Sequence, residues 1–150
     1  MKSIGWLLAL GAFAAIACST SARAQNCTPL QVVGGSGTEV SKSVSPPSTI
    51  FSKNNWNTDF IVPQSQYFST FVAEIEPQEA GEYTIKMFLK YNNDTADKVY
   101  DRTAIPLTNS RPAVITGSAR RDAQPYQINL LVGGIQASGE FYTASVRGCR

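Results

Sequence analysis

The chain has 150 residues, 13 lysines and arginines against 11 aspartates and glutamates, and no histidine. So small an excess of positive charge leaves no electrostatic footprint for nucleic acid. Without histidine, every Ser–His–Asp and Cys–His arrangement and every imidazole metal ligand is excluded.

The N-terminus reads MKSIGWLLALGAFAAIACSTSARAQ. One cation, Lys2, precedes an apolar run from Ile4 to Ala17, and Ala22-Arg23-Ala24 follows. This is the pattern of a secretory signal with a small-x-small cleavage site. Residues 1–24 are assigned to the signal and 25–150 to a single secreted domain beginning at Gln25. The run is too short for a comfortable membrane span, so the mature chain is expected to carry none. A second route stays open. Ala15-Ile16-Ala17-Cys18 resembles a lipobox, weakened by alanine where a large aliphatic residue is usual, and it would anchor the protein through Cys18. The alanine-rich leader points to bacterial export, to the periplasm or the cell exterior. Loss of Lys2 and Arg23 leaves equal numbers of cations and anions.

Cys27 and Cys149 lie at the two ends of the remaining chain, 122 residues apart. Oxidising compartments favour pairing, so a disulfide joining the termini is expected. Closing so long a loop contributes about 5 kcal/mol on the chain-entropy model. Two glycosylation sequons, Asn26-Cys27-Thr28 and Asn93-Asp94-Thr95, matter only in a host that modifies them.

The stretch LQVVGGSGTEV, Leu30 to Val40, resembles the entry to a nucleotide-binding loop. Gly35 and Gly37 fit the first two glycines of that pattern, but Val40 occupies the third. SKSVSPPST follows, which cannot open a helix toward a pyrophosphate. Nucleotide binding is therefore not expected, and the stretch reads as a strand ending in a turn. Val32-Val33, Val40–Val44, Ile50-Phe51 and Asp59–Val62 are candidate short strands.

Trp56 stands in the amide-rich run SKNNWNTDF. An aromatic face beside Asn54, Asn55 and Asn57 suits a sugar ring, whose hydroxyls the amides would bond. A Trp at a strand start also suits the core of a sandwich, and that reading is preferred on residue type. Tyr100, Tyr126 and Tyr142 are possible companions.

Tyr67 to Ile75 alternates, with Tyr67, Phe71, Ala73 and Ile75 in one phase. Glu74 and Glu76 share the opposite face. A carboxylate pair raises the possibility of a hydrolase, but such a pair must flank a cleft. EYTIKMFLKY places Tyr83, Ile85, Met87, Leu89 and Tyr91 on one side, the period-two pattern of a strand with one buried face. The polar turn NNDTAD and the returning segment KVYDRTAIPL, with Val99, Ile105 and Leu107 in phase, complete a hairpin. Asp94, Asp97 and Asp101 offer oxygen donors for calcium, although their spacing departs from an EF-hand loop. Arg120-Arg121 reads as a solvated turn. AVITGS, YQINLLV and EFYTASVRG are the last strands.

No segment after the leader has helical periodicity. Seven to ten short strands separated by proline and glycine predict an all-β, antiparallel β-sandwich, jelly-roll or immunoglobulin-like. With no catalytic constellation evident, the expectation is a non-catalytic binding or interaction module without a cofactor. A glycan or an envelope or extracellular protein is the expected partner. The alternatives are a structural subunit joined by strand addition at an exposed edge and, less favoured, a carboxylate-dependent hydrolase built on Glu74 and Glu76.

Overall fold

The computed structural model describes residues 26–150. The leader, its cleavage site and Cys18 lie outside the described residues. Ten strands follow in order: β1 (Cys27–Pro29), β2 (Gln31–Val32), β3 (Glu39–Ser43), β4 (Asn57–Ile61), β5 (Thr70–Pro77), β6 (Gly81–Lys90), β7 (Ala96–Leu107), β8 (Ala113–Ser118), β9 (Gln127–Gly133) and β10 (Phe141–Cys149). A single 3₁₀ turn covers Ile135–Ala137.

All pairings are antiparallel and form two sheets. The first runs β8-β5-β10, with β3 and β1 sharing the far side of β10; the second runs β2-β4-β9-β6-β7. The chain changes sheet at every connection except the β6–β7 hairpin. From β3 onward this gives β3-β10-β5-β8 facing β4-β9-β6-β7, the eight-stranded jelly-roll. The topology decides between the two sandwich classes the sequence allowed. β1 and β2 are short additions at the sheet edges, and Cys27 and Cys149, register partners on β1 and β10, are joined by the disulfide.

Period-two alternation fills the space between the sheets. Tyr83, Ile85, Met87 and Leu89 of β6 and Ile128, Leu130 and Val132 of β9 meet Phe71, Ala73 and Ile75 of β5 and Tyr142, Ala144 and Val146 of β10. Each large side chain so enclosed contributes about 1.5–3 kcal/mol relative to exposure. The glycine-rich turn after β2 carries the chain from the second sheet to the first, with Gly34 at φ 74°.

Two expected strand residues lie elsewhere. Tyr67 precedes β5 and is 53% exposed; its hydroxyl reaches the carbonyls of Arg120 and Arg121 instead of entering the core. Ile50 and Phe51 form no strand. They sit at the tip of a loop whose polar neighbours satisfy its backbone locally.

Candidate functional site

The outer face of the second sheet presents the side chains that alternate with the core. Asn57 and Asp59 of β4, Gln127, Asn129 and Leu131 of β9, and Lys86, Phe88 and Lys90 of β6 share it, by register and pleat. Trp56 sits at one end of this face. A Cβ added to Gly133 would fall 2.2 Å from Cδ2 of the indole, so the ring rests where only glycine leaves room. The indole Nε1 donates to the Ser45 carbonyl at 2.8 Å, and Val132 N donates to the Trp56 carbonyl at 2.9 Å. The ring is therefore held at both its edge and its backbone. It is half-buried against the core, on the outer side of the sheet.

Trp56 forms one wall of an open groove of about 410 Å³. Thr84 lies on its floor, Ile135 and Ala104 add apolar surface, and Glu82, Thr103 and Gln136 bring polar groups. A β-bulge shapes the far wall. Tyr83 pairs with Ile105 and Ile85 with Arg102, so Thr103 and Ala104 together oppose Thr84. Ala104 accordingly takes φ 53°, a left-handed conformation uncommon for a residue other than glycine. The arrangement combines an aromatic plane with two hydroxyls, a carboxylate and an amide.

Asp59 anchors a polar cluster farther along the same face. Its Oδ1 accepts from Asn129 Nδ2 at 2.8 Å and Lys90 Nζ at 3.1 Å. Burial pushes its pKa up, but hydrogen bonds from Asn129, Lys90 and Gln127, with the Lys90 charge, hold it below the usual aspartate value. Asn129, 8% exposed, is thus a paired buried amide.

The asparagines around Trp56 have different duties. Asn55 braces the preceding loop: its Oδ1 accepts from Ser45 N at 3.0 Å and its Nδ2 donates to the Ser43 carbonyl at 2.8 Å. Asn54 Oδ1 accepts from Trp56 N at 3.4 Å. Asn57 stands exposed on the outer face of β4. Lys42 donates to the carbonyls of Asn55 and Asn57, and burial lowers its pKa.

The aspartates singled out for calcium are not brought together. Asp94 is exposed in the β6–β7 turn at φ 60°. Asp97 receives a two-pronged contact from Arg120, at 2.6 and 2.8 Å. Asp101 lies between Lys86, at 3.4 Å, and Lys98, at 2.5 Å. Among the described residues, no group of three or more Cys, Asp and Glu side chains is placed to hold a metal ion. Glu74 and Glu76 share the outer face of β5, and Glu74 pairs with Arg147 at 3.3 Å.

The sequence singles out Trp56 but not Thr84, Thr103, Ala104 or Gln136, which line the same groove. The only trace of the bulge is that KVYDRTAIPL keeps its apolar phase imperfectly, with Thr103 where an apolar residue would stand.

No family model matches this chain, and no curated protein matches it. Among solved structures it is similar to a variant of a family 29 carbohydrate-binding module, at 6% identity and TM-score 0.47, covering 84% of this chain and 74% of that one. It is also similar to the C-terminal family 22 carbohydrate-binding module of Clostridium thermocellum Xyn10B, at 11% identity and TM-score 0.41, covering 77% and 87%. A xylan-binding domain from Paenibacillus barcinonensis gives 9% identity and TM-score 0.34, covering 77% and 82%. At these identities and scores the likeness transfers no ligand and no residue role.

Proposed function

We propose that this chain is a non-catalytic binding module, exported to the periplasm or the cell exterior, that takes a glycan in the groove beside Trp56. The observation that carries this reading is the Trp56 ring seated on Gly133 beside Thr84, Thr103, Glu82 and Gln136. A pyranose has an apolar C–H face and a rim of hydroxyls, and it needs just such a plane with a few placed polar groups. The absence of histidine and the Glu74–Arg147 pairing on an open sheet face support binding over hydrolysis.

The test is a panel of soluble oligosaccharides titrated calorimetrically into the wild-type protein, Trp56→Ala and Gly133→Ala. A glycan that binds wild type is expected to lose about tenfold or more in affinity with Trp56→Ala, from the removed apolar contact. Gly133→Ala is expected to weaken it too, by lifting the ring. Equal affinity in Trp56→Ala, or no binder in a broad panel, overturns the reading.

A second reading, a subunit joined by strand addition, has one observation in its favour. β8, with sequence AVITGS, is an edge strand with no charged residue. Concentration-dependent polymers would support it.

A further inference from the structure

Ile50 and Phe51 are 90% and 91% exposed, at the tip of a loop that leaves the sandwich beside Trp56. The loop is built to hold them there. At its neck Ser45 N donates to Asn55 Oδ1 and Asn55 N donates to Ser45 Oγ, a reciprocal clasp at 3.0 and 2.9 Å. Higher up, Asn54 N donates to Ser48 Oγ at 2.9 Å. At the tip, Thr49 N donates to the Ser52 carbonyl at 2.8 Å, and the Phe51 and Ser52 amides both donate to Thr49 Oγ1 at 3.2 Å.

The two tip residues occupy the centre of a Thr49–Ser52 turn, where glycine, asparagine or aspartate is the usual choice. Neither residue type is explained by the turn itself. The Thr49, Phe51 and Ser52 amides are thus partnered inside the loop, which lowers the cost of taking the tip out of water.

We infer that this loop is an anchor for an anionic lipid surface, with Ile50 and Phe51 entering the acyl boundary. Charge and shape choose this occupant. From Val40 to Thr58 the chain carries no acidic residue, and of its two cations Lys53 is the one beside the tip, Lys42 being held by the carbonyls of Asn55 and Asn57. Lys53 is exposed two residues from Phe51, so entry of the tip would bring it to the lipid headgroups. A stable protein interface needs some twenty to thirty residues a side, roughly, whereas a fluid hydrocarbon layer accepts a narrow tip. None of the polar groups that line the groove beside Trp56 belongs to the 48–53 tip.

The experiment uses the exported protein carrying Phe51→Trp, mixed with phosphatidylcholine vesicles with and without phosphatidylglycerol. The exported chain without that substitution, in which Trp56 is the one tryptophan after residue 24, serves as the spectral reference. The added indole is expected to shift to shorter wavelength and to be quenched by brominated phosphatidylcholine, more strongly when phosphatidylglycerol is present. In an Ile50→Ser, Phe51→Ser double variant the vesicle partition coefficient of the loop-dependent phase should fall by about tenfold or more. Lys53→Glu should remove the preference for the anionic vesicles. Absence of bromolipid quenching overturns the inference. So does a wavelength shift that grows with protein concentration without vesicles, which would assign the tip to a second copy of the chain.

Discussion

Tyr83 is wholly enclosed between the sheets, and its hydroxyl meets no hydrogen-bond partner. A buried hydroxyl in this state costs roughly 1–3 kcal/mol relative to a paired one. Burial, with smaller contributions from the Glu140 and Glu79 charges, pushes its pKa up to about 12 from an ordinary value of 10.0. Tyr142, facing it from the opposite sheet, is raised as well, again chiefly by burial. The sign follows directly. The folded protein keeps phenolic protons that the unfolded chain releases above its ordinary pKa. Stability is therefore full below about pH 10 and falls as pH rises toward 12, by about 1.4 kcal/mol per unit for each such group. Tyr83→Phe is expected to hold or raise the urea midpoint near neutral pH and to flatten the alkaline loss. A clear drop in the neutral midpoint would show that the hydroxyl is paired after all.

Arg120 shows how one side chain joins elements that sequence leaves separate. Its guanidinium grips Asp97 with two bonds, reaches Thr95 Oγ1 at 3.0 Å and lies 4.0 Å over the Tyr91 ring. Its amide also donates to the Tyr91 hydroxyl at 3.1 Å. The β8–β9 connection is thereby tied to the turn of the β6–β7 hairpin, which the Tyr91–Thr95 backbone bond closes. The Arg120 bonds hold the Asp97 carboxyl below its usual pKa, so the tie is intact above and through the ordinary aspartate value and is lost only as pH falls through the lowered one. Arg120→Gln is expected to speed amide exchange at Tyr91 and Asp97 more than in β9, with little change in global unfolding because the pair is surface-exposed. Uniform acceleration across both sheets would show that the contact supports the whole fold. The solvated-turn reading suits the exposed Arg121, but Arg120 is a tethered side chain.

The jelly-roll makes its ends meet. β1 is only three residues long, and it is fixed to β10 by register pairing and by the Cys27–Cys149 bond. Between these cysteines lies a complete two-sheet core. A Cys27→Ser, Cys149→Ser double variant is expected to keep its far-ultraviolet circular dichroism and to lose roughly 2–5 kcal/mol in urea unfolding. Protection from amide exchange should disappear first in β1. Collapse of the β spectrum without the bond would mean that the core alone does not carry the fold.

Much of this protein was legible from local pattern. The period-two faces of β5, β6, β9 and β10 mark their core residues, because pleating alone sends alternate side chains to opposite sides. The Cys27–Cys149 pairing was expected for two cysteines in a chain read as exported, and the β1–β10 register makes it. Other features depend on partners far away in sequence. Trp56 reads first as a core residue by type, and only Gly133, on the neighbouring strand, provides the space on which its ring rests at the outer side of the sheet. Thr103 and Ala104 become groove residues only through the bulge against Thr84, a property of two strands together. Tyr67 and Ile50-Phe51 fit strand patterns by type but lie where no strand pairs with them. The choice of a jelly-roll over an immunoglobulin-like sandwich belongs to the same class. Alternation within a strand sets which side is buried, whereas strand order is set by contacts between segments that the linear pattern never juxtaposes.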